Sequence, residues 1–184
     1  MDEKTTEAAP DGMAAAHRAM RLSKREISDL SELRSIAKRA TVLHVASHDA
    51  EGPFIVPMTY GFEVVPDESA VETGGARWTF WLHCAGEGRK HDAWLADPEV
   101  ALELDVPSEV ISGAFACNYS LAYESIMATA QMRRVFSTDD KLRGLNALMD
   151  HMAPDAPKSF SPDGIERVDI WRADVTRLTG KRRA

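Results

Sequence analysis

Residues 78–90 constrain the fold more than any other stretch of this chain. Trp78-Thr-Phe-Trp-Leu-His83 has the bulky composition of a β-strand. It runs directly into His83-Cys-Ala-Gly-Glu-Gly-Arg-Lys90. A helix is expected from Lys90 to Asp97, because Pro98 cannot continue it. A strand therefore becomes a helix across two glycines and two adjacent cations. Gly86 and Gly88 admit backbone turns closed to other residues. A helix start presents unpaired N–H groups and the positive end of a dipole. Arg89 and Lys90 add full charges, and together these features make a cradle for a phosphate-bearing ligand. The same residues also read as a solvated loop before a surface helix. The spacing is neither a Walker A loop nor the G-x-G-x-x-G dinucleotide fingerprint.

The rest of the chain is mostly β. Asp29 caps a first helix, with Glu32 at its third position and Leu33, Ile36, Ala37 and Ala40 as its apolar stripe. Thr41–Ser47 and Phe54–Phe62 read as strands of a hairpin around the polar turn 48–52. Residues 66–76 form a polar, exposed connection. Val100–Val106 reads as a fourth strand. Ala122–Phe136 is a long extended pattern, with Tyr123, Ser125, Met127 and Thr129 on one face and Ile126 and Ala128 on the other. Ser137 starts a capping box for a second helix, whose Leu142, Leu145, Met149 and Met152 are expected to face the core. A Pro-rich loop, 153–164, precedes a last strand, Arg167–Leu178. This pattern predicts a mainly β fold, a small barrel of six or seven strands with helical additions. Residues 1–18 read as a flexible arm and 19–184 as a single domain.

Composition narrows the partners. The chain has 22 Lys and Arg against 29 Asp and Glu, a net charge of −7. That balance argues against general nucleic-acid binding. No apolar run approaches the roughly 18–20 residues that span a bilayer, and the acidic N-terminus has no secretory core. A cytoplasmic location is the expectation. The two cysteines, Cys84 and Cys117, fit a reducing compartment. No metal site is expected, since His83 and Cys84 are strand neighbours that point to opposite faces.

Five segments, in order, resemble one family. They are Met20-Arg-Leu-Ser-Lys-Arg-Glu-Ile27, Gly52-Pro-Phe-Ile-Val-Pro-Met-Thr-Tyr-Gly61, the 83–90 segment, Ala116-Cys-Asn-Tyr119 with Tyr123-Glu-Ser-Ile126, and Thr179-Gly-Lys-Arg-Arg183. The chain resembles the FMN-binding split-barrel proteins related to pyridoxamine 5'-phosphate oxidase. Within them it is most similar to the nitroimidazole-resistance branch. The resemblance implies a split β-barrel homodimer with FMN at the dimer interface. It implies an oxidoreductase that takes hydride transiently from NAD(P)H and reduces a small aromatic or nitro compound. The alternative is a non-enzymatic module that binds or stores flavin, haem or deazaflavin. Haem is disfavoured because His83 has no matched second ligand, although one axial histidine can suffice.

The resemblance also implies roles. Pro57, Met58, Thr59 and Tyr60 would lie along the flavin ring edge and offer backbone groups; otherwise they form an ordinary core strand. His83, Cys84, Ala85 and Gly88 would line the cofactor, with Arg89 and Lys90 on its phosphate. His83 shares a strand face with Thr79 and Trp81. It would donate a proton to a reduced nitro group or hold a substrate anion; otherwise it is a hydrogen-bonded core histidine. Asn118, Tyr119, Tyr123 and Ser125 would arrive from the second subunit, or else serve as plain interface residues. The family often carries Trp at the place of Tyr119 and Gly at that of Thr129. Lys24 and Arg25 read as a solvated pair, and His17, His48 and His151 lie in polar surroundings.

Overall fold

The structure is a computed structural model that describes residues 20–184. The expected arm lies outside the described residues. In chain order the elements are β1 (Glu26–Ile27), α1 (Leu30–Arg39), β2 (Leu43–Asp49), β3 (Gly52–Met58), β4 (Gly61–Pro66), β5 (Ala76–Cys84), α2 (Arg89–Ala96), β6 (Glu99–Ile111), β7 (Ser120–Val135), α3 (Thr138–Met152), α4 (Pro162–Arg167) and β8 (Asp169–Arg183). Both predicted N-caps form. The Asp29 carboxylate accepts from the Glu32 amide, and the Ser137 hydroxyl from the Asp140 amide.

All strand pairs are antiparallel, and the order across the sheet is β3-β2-β6-β7-β8-β5-β4, with β1 also on β8. β3 and β4 are thus at opposite ends of the hydrogen-bonded path. Yet only Thr59 and Tyr60 separate them in the chain. The sheet must curl until its two ends meet, which makes a barrel with an open seam along β3. The fold is the expected split β-barrel. No described helix is long and apolar enough to cross a membrane.

The barrel is filled from alternate strand positions. Trp78, Phe80 and Leu82 of β5, Leu43 and Val45 of β2, Leu102 and Leu104 of β6, Ile126 and Ala130 of β7 and Trp171 of β8 are all buried. Helix α1 closes this core with Leu33, Ile36 and Ala37. Trp81 points the other way, into a second cluster with Val135, Leu148 and Ile170 beneath α3.

Several expectations need correction. The strand expected over Phe54–Phe62 is broken at Thr59–Tyr60, because Tyr60 is pinned elsewhere. Its hydroxyl lies 2.8 Å from the Ala37 carbonyl and 3.0 Å from that of Ala40, at the end of α1. Helix α3 buries Gly144 and Leu148 against the barrel, with Leu145 of the expected stripe packing beside them, while Met152 at its end is exposed. A Cβ on Gly144 would fall 2.7 Å from the Trp81 ring, so a side chain there would push the helix off its seat. β6 runs on past Pro107 through a register shift to Ile111. β8 continues through 179–183, and the loop expected over 153–164 ends at Ser161, which caps α4. Within 66–76, Thr73 and Ala76 are buried.

Candidate functional site

The predicted strand-to-helix passage is present. β5 ends at Cys84 and α2 begins at Arg89, one residue earlier than expected. Gly88, at the N-cap, has φ 111°, a conformation that favours glycine. No side chain caps the helix, so its first amides remain available to an anion. The helix is firmly seated from below. The Trp94 indole donates to the Ser47 hydroxyl at 3.0 Å, and its ring meets Trp171 edge-on at 5.3 Å.

Arg89 is heavily engaged. Its Nε and Nη2 donate to the two carboxylate oxygens of Asp49 at 2.7 and 2.9 Å. Nη1 lies 3.8 Å from Glu51, and the guanidinium sits 4.4 Å from the centre of the Phe54 ring. The Arg89 guanidinium holds the Asp49 carboxyl below the usual carboxylate range. Lys90 is half-buried and makes no salt bridge or side-chain hydrogen bond. Cys84 is half-buried; burial pushes its thiol up, and the Lys90 charge opposes that shift.

A buried charged group lies beneath the passage. Asp169, across from Cys84 in the β5–β8 register, accepts from Arg134 Nε at 2.9 Å. Its other oxygen is 3.2 Å from His91 Nε2, without hydrogen-bond geometry. His91 and Asp169 are both buried, and the His91 ring stands edge-on to Trp171. Charge-pairing and packing therefore fix both the first turn of α2 and the start of β8.

The 57–60 segment borders the same region. Gly61 pairs with Trp81, two residues before His83 at the end of β5, and the β4–β5 ladder stops there. Pro57 and Thr59 are exposed, while Met58 and Tyr60 turn into the core. Met58 and Tyr60 can thus offer a ligand only their backbone. The Tyr60 carbonyl is already met by His151 Nδ1 at 2.7 Å, and the His151 ring lies 4.3 Å from that of Tyr60. His151 is therefore a half-buried packing residue, not a bystander in polar surroundings. His83 is exposed, which departs from the core-histidine alternative. Ala85 is exposed as well.

The residues expected from a second subunit lie elsewhere on the chain. Ser125 lines a groove of about 500 Å³ on the outer face of β6, β7 and β8, with Met127, Thr129, Arg177, Thr179 and Lys181. No residue of 83–90 lines that groove. Asn118 and Tyr119 are exposed near the β6–β7 tip, and Tyr123 is half-buried on β7. The structure brings 83–90 together with Asp49, Glu51 and Phe54, and leaves 118–125 apart from them. Asp49, Glu51 and the His91–Asp169–Arg134 group were not singled out from sequence. Their contacts join residues 35–78 positions apart, and only the acidic hairpin turn next to a lone Arg–Lys pair hinted at them.

Comparison with known proteins agrees with this fold. Residues 29–182 match the pyridoxamine 5'-phosphate oxidase family. The chain belongs to that family. A proposed 5-nitroimidazole antibiotic resistance protein from Bacteroides thetaiotaomicron is 27% identical, with 85% of each chain covered and a TM-score of 0.69. Two more distant structures share the fold. The flavocytochrome Anf3 from Azotobacter vinelandii is 17% identical, with 90% of this chain and 72% of that chain covered and a TM-score of 0.72. The FAD and heme binding protein from Mycobacterium smegmatis is 14% identical, with 86% and 73% covered and a TM-score of 0.68. Among curated proteins, none matches the chain.

The residues present suit a phosphorylated flavin. The uncapped start of α2, the unengaged Lys90 and the open β3 edge supply donors for a phosphate and for a ring's polar edge.

Proposed function

We propose that this protein is an FMN-dependent oxidoreductase that acts on a small aromatic or nitro compound. The observation that carries this reading is the uncapped α2 N-terminus, with Gly88 at φ 111° and Lys90 lacking any side-chain partner, set at the barrel seam. Membership of the family and the likeness to the Bacteroides protein support it. Bound FMN would supply two-electron transfer between NAD(P)H and the acceptor.

The chain's own residues do the rest. Lys90, the first amides of α2 and Arg89 hold the phosphate end. The backbone of Pro57, Met58 and Thr59 on the open β3 edge meets the ring's polar edge, and the Tyr60 peptide is held rigid by His151 and α1. Cys84, Ala85 and Gly88 form the floor of the approach. Exposed His83, at the end of β5, presents its imidazole to the acceptor and delivers the proton that must accompany electron transfer to a nitro oxygen. A homodimer brings Asn118, Tyr119, Tyr123 and Ser125 of a second copy over the seam. Their apolar surroundings, with Phe115, Leu121 and Met127 exposed on one chain, suit burial against that copy.

The test is NAD(P)H oxidation by FMN-loaded protein with a nitroaromatic acceptor, for wild type and His83→Gln. The reading expects acceptor-dependent turnover that falls by about a hundredfold in the variant, with flavin affinity kept. FMN-loaded protein that turns over no acceptor would sink the enzymatic part. A Soret band in the purified protein would instead favour haem, for which exposed His83 is an available axial ligand.

A further inference from the structure

Arg89 cannot grip a phosphate without first giving up Asp49. Its Nε and Nη2 are spent on the Asp49 carboxylate at 2.7 and 2.9 Å. Nη2 also reaches the Gly52 carbonyl at 3.4 Å. Nη1 lies 3.8 Å from Glu51, and the Phe54 ring covers one face at 4.4 Å. All three guanidinium nitrogens and one face are engaged. The Asp49 carboxylate has an anchor besides Arg89. Its Oδ1 also accepts from the Glu51 amide at 2.9 Å, within a hairpin where Asp49 pairs with Gly52. Any anion that takes Arg89 therefore leaves two bare carboxylates, Asp49 and Glu51, at its side.

From this we infer that Asp49 is a specificity-determining residue of the cofactor site, a built-in competitor that sets how much a terminal phosphate adds to flavin affinity. The inference rests on the reading of 83–90 as a flavin-phosphate site. A phosphate monoester dianion has enough charge to exchange with Asp49 for the fork. A flavin with an uncharged ribityl tail gains nothing from Arg89 and is indifferent to Asp49. Lys90 has no such competitor, so it is the constant part of the phosphate site and Arg89 the conditional part.

Asp49→Asn isolates the charge, because the amide oxygen still accepts from Glu51 and the side chain keeps its shape. Dissociation constants for FMN and for riboflavin, measured by quenching of flavin fluorescence, give the readout. Removing the competitor for an exposed bidentate arginine should tighten FMN by about fivefold and leave riboflavin unchanged. In an Arg89→Gln background most of the gain should vanish, since no fork is left to compete for and only the screened repulsion of an exposed carboxylate is relieved. Thermal melts check that each variant folds; should Asp49→Asn not fold, Asp49→Ser retains an acceptor for the turn and takes its place. FMN binding that is unchanged or weaker in the variant overturns the inference, since Asp49 would then be orienting Arg89 for the phosphate. A gain of undiminished size without Arg89 also overturns it. Failure of both flavins to bind either protein defeats instead the underlying flavin reading.

Discussion

Tyr60→Phe removes one buried hydroxyl at the point where β3 crosses into β4. That hydroxyl has a single proton shared between the carbonyls of Ala37 and Ala40, at 2.8 and 3.0 Å. These carbonyls belong to the last turn of α1, where helical partners run out. Burial holds the phenol well above its ordinary pKa, so the group is a neutral donor throughout the accessible pH range. The ring's packing survives the substitution, including its edge-on contact with Phe80 at 5.6 Å. What is lost is one net hydrogen bond, plus the cost of leaving a buried carbonyl without a donor. Together these amount to about 2–3 kcal/mol. For a chain of this size each kcal/mol lowers Tm by about 2–4 °C, so the variant should melt about 4–12 °C below wild type. Urea unfolding followed by circular dichroism gives the free energy independently, and an unchanged m-value confirms the comparison. A loss under about 0.5 kcal/mol would refute the reasoning, because it would mean that water reaches those carbonyls as readily as the tyrosine does.

Other outcomes follow from the charged groups. Asp169→Ala leaves Arg134 and His91 without their carboxylate beneath α2, and should cost about 3 kcal/mol in urea unfolding. Asp169→Asn should cost less, since its amide oxygen still accepts from Arg134. Glu124 sits between Arg39 and Arg182, with Arg39 the larger influence, and its carboxyl is held below the usual range. Its contribution is therefore complete above about pH 4.3 and drains away as pH falls through the folded-state value. Glu124→Gln should be less stable than wild type at pH 7 by up to about 1 kcal/mol, and the gap should close on acidification. A gap that widens at low pH would reverse the assigned sign.

Local structure in this chain is set by local signals. The caps at Asp29 and Ser137, the span of β5, the stop before Pro98 and the alternation of β7 each depend on neighbouring residues, and each formed as expected. The errors came where distant contacts decide. Apolar spacing along α3 finds Leu145 but extends the stripe to Met152, which is exposed, and misses that the helix turns the side-chain-free position at Gly144 toward the bulk of Trp81. The run 54–62 looked continuous because nothing local shows that Tyr60 is claimed by α1 and His151. Pro107 looked like a strand end, yet the ladder resumes beyond a register shift. At the site, the Gly–Arg–Lys motif marked the place, but the occupant of Arg89's fork lies 40 residues upstream, in the hairpin turn.

The central claim is that residues 83–90 hold the phosphate of a bound flavin. Gel filtration of the protein after mixing with FMN, monitored at both flavin absorbance bands, tests it most directly. For wild type the account predicts flavin that travels with the protein at about one per chain. For Lys90→Ala it predicts affinity lowered by about tenfold, with riboflavin binding unaffected. Protein that elutes colourless, or FMN binding indifferent to Lys90, would contradict the account.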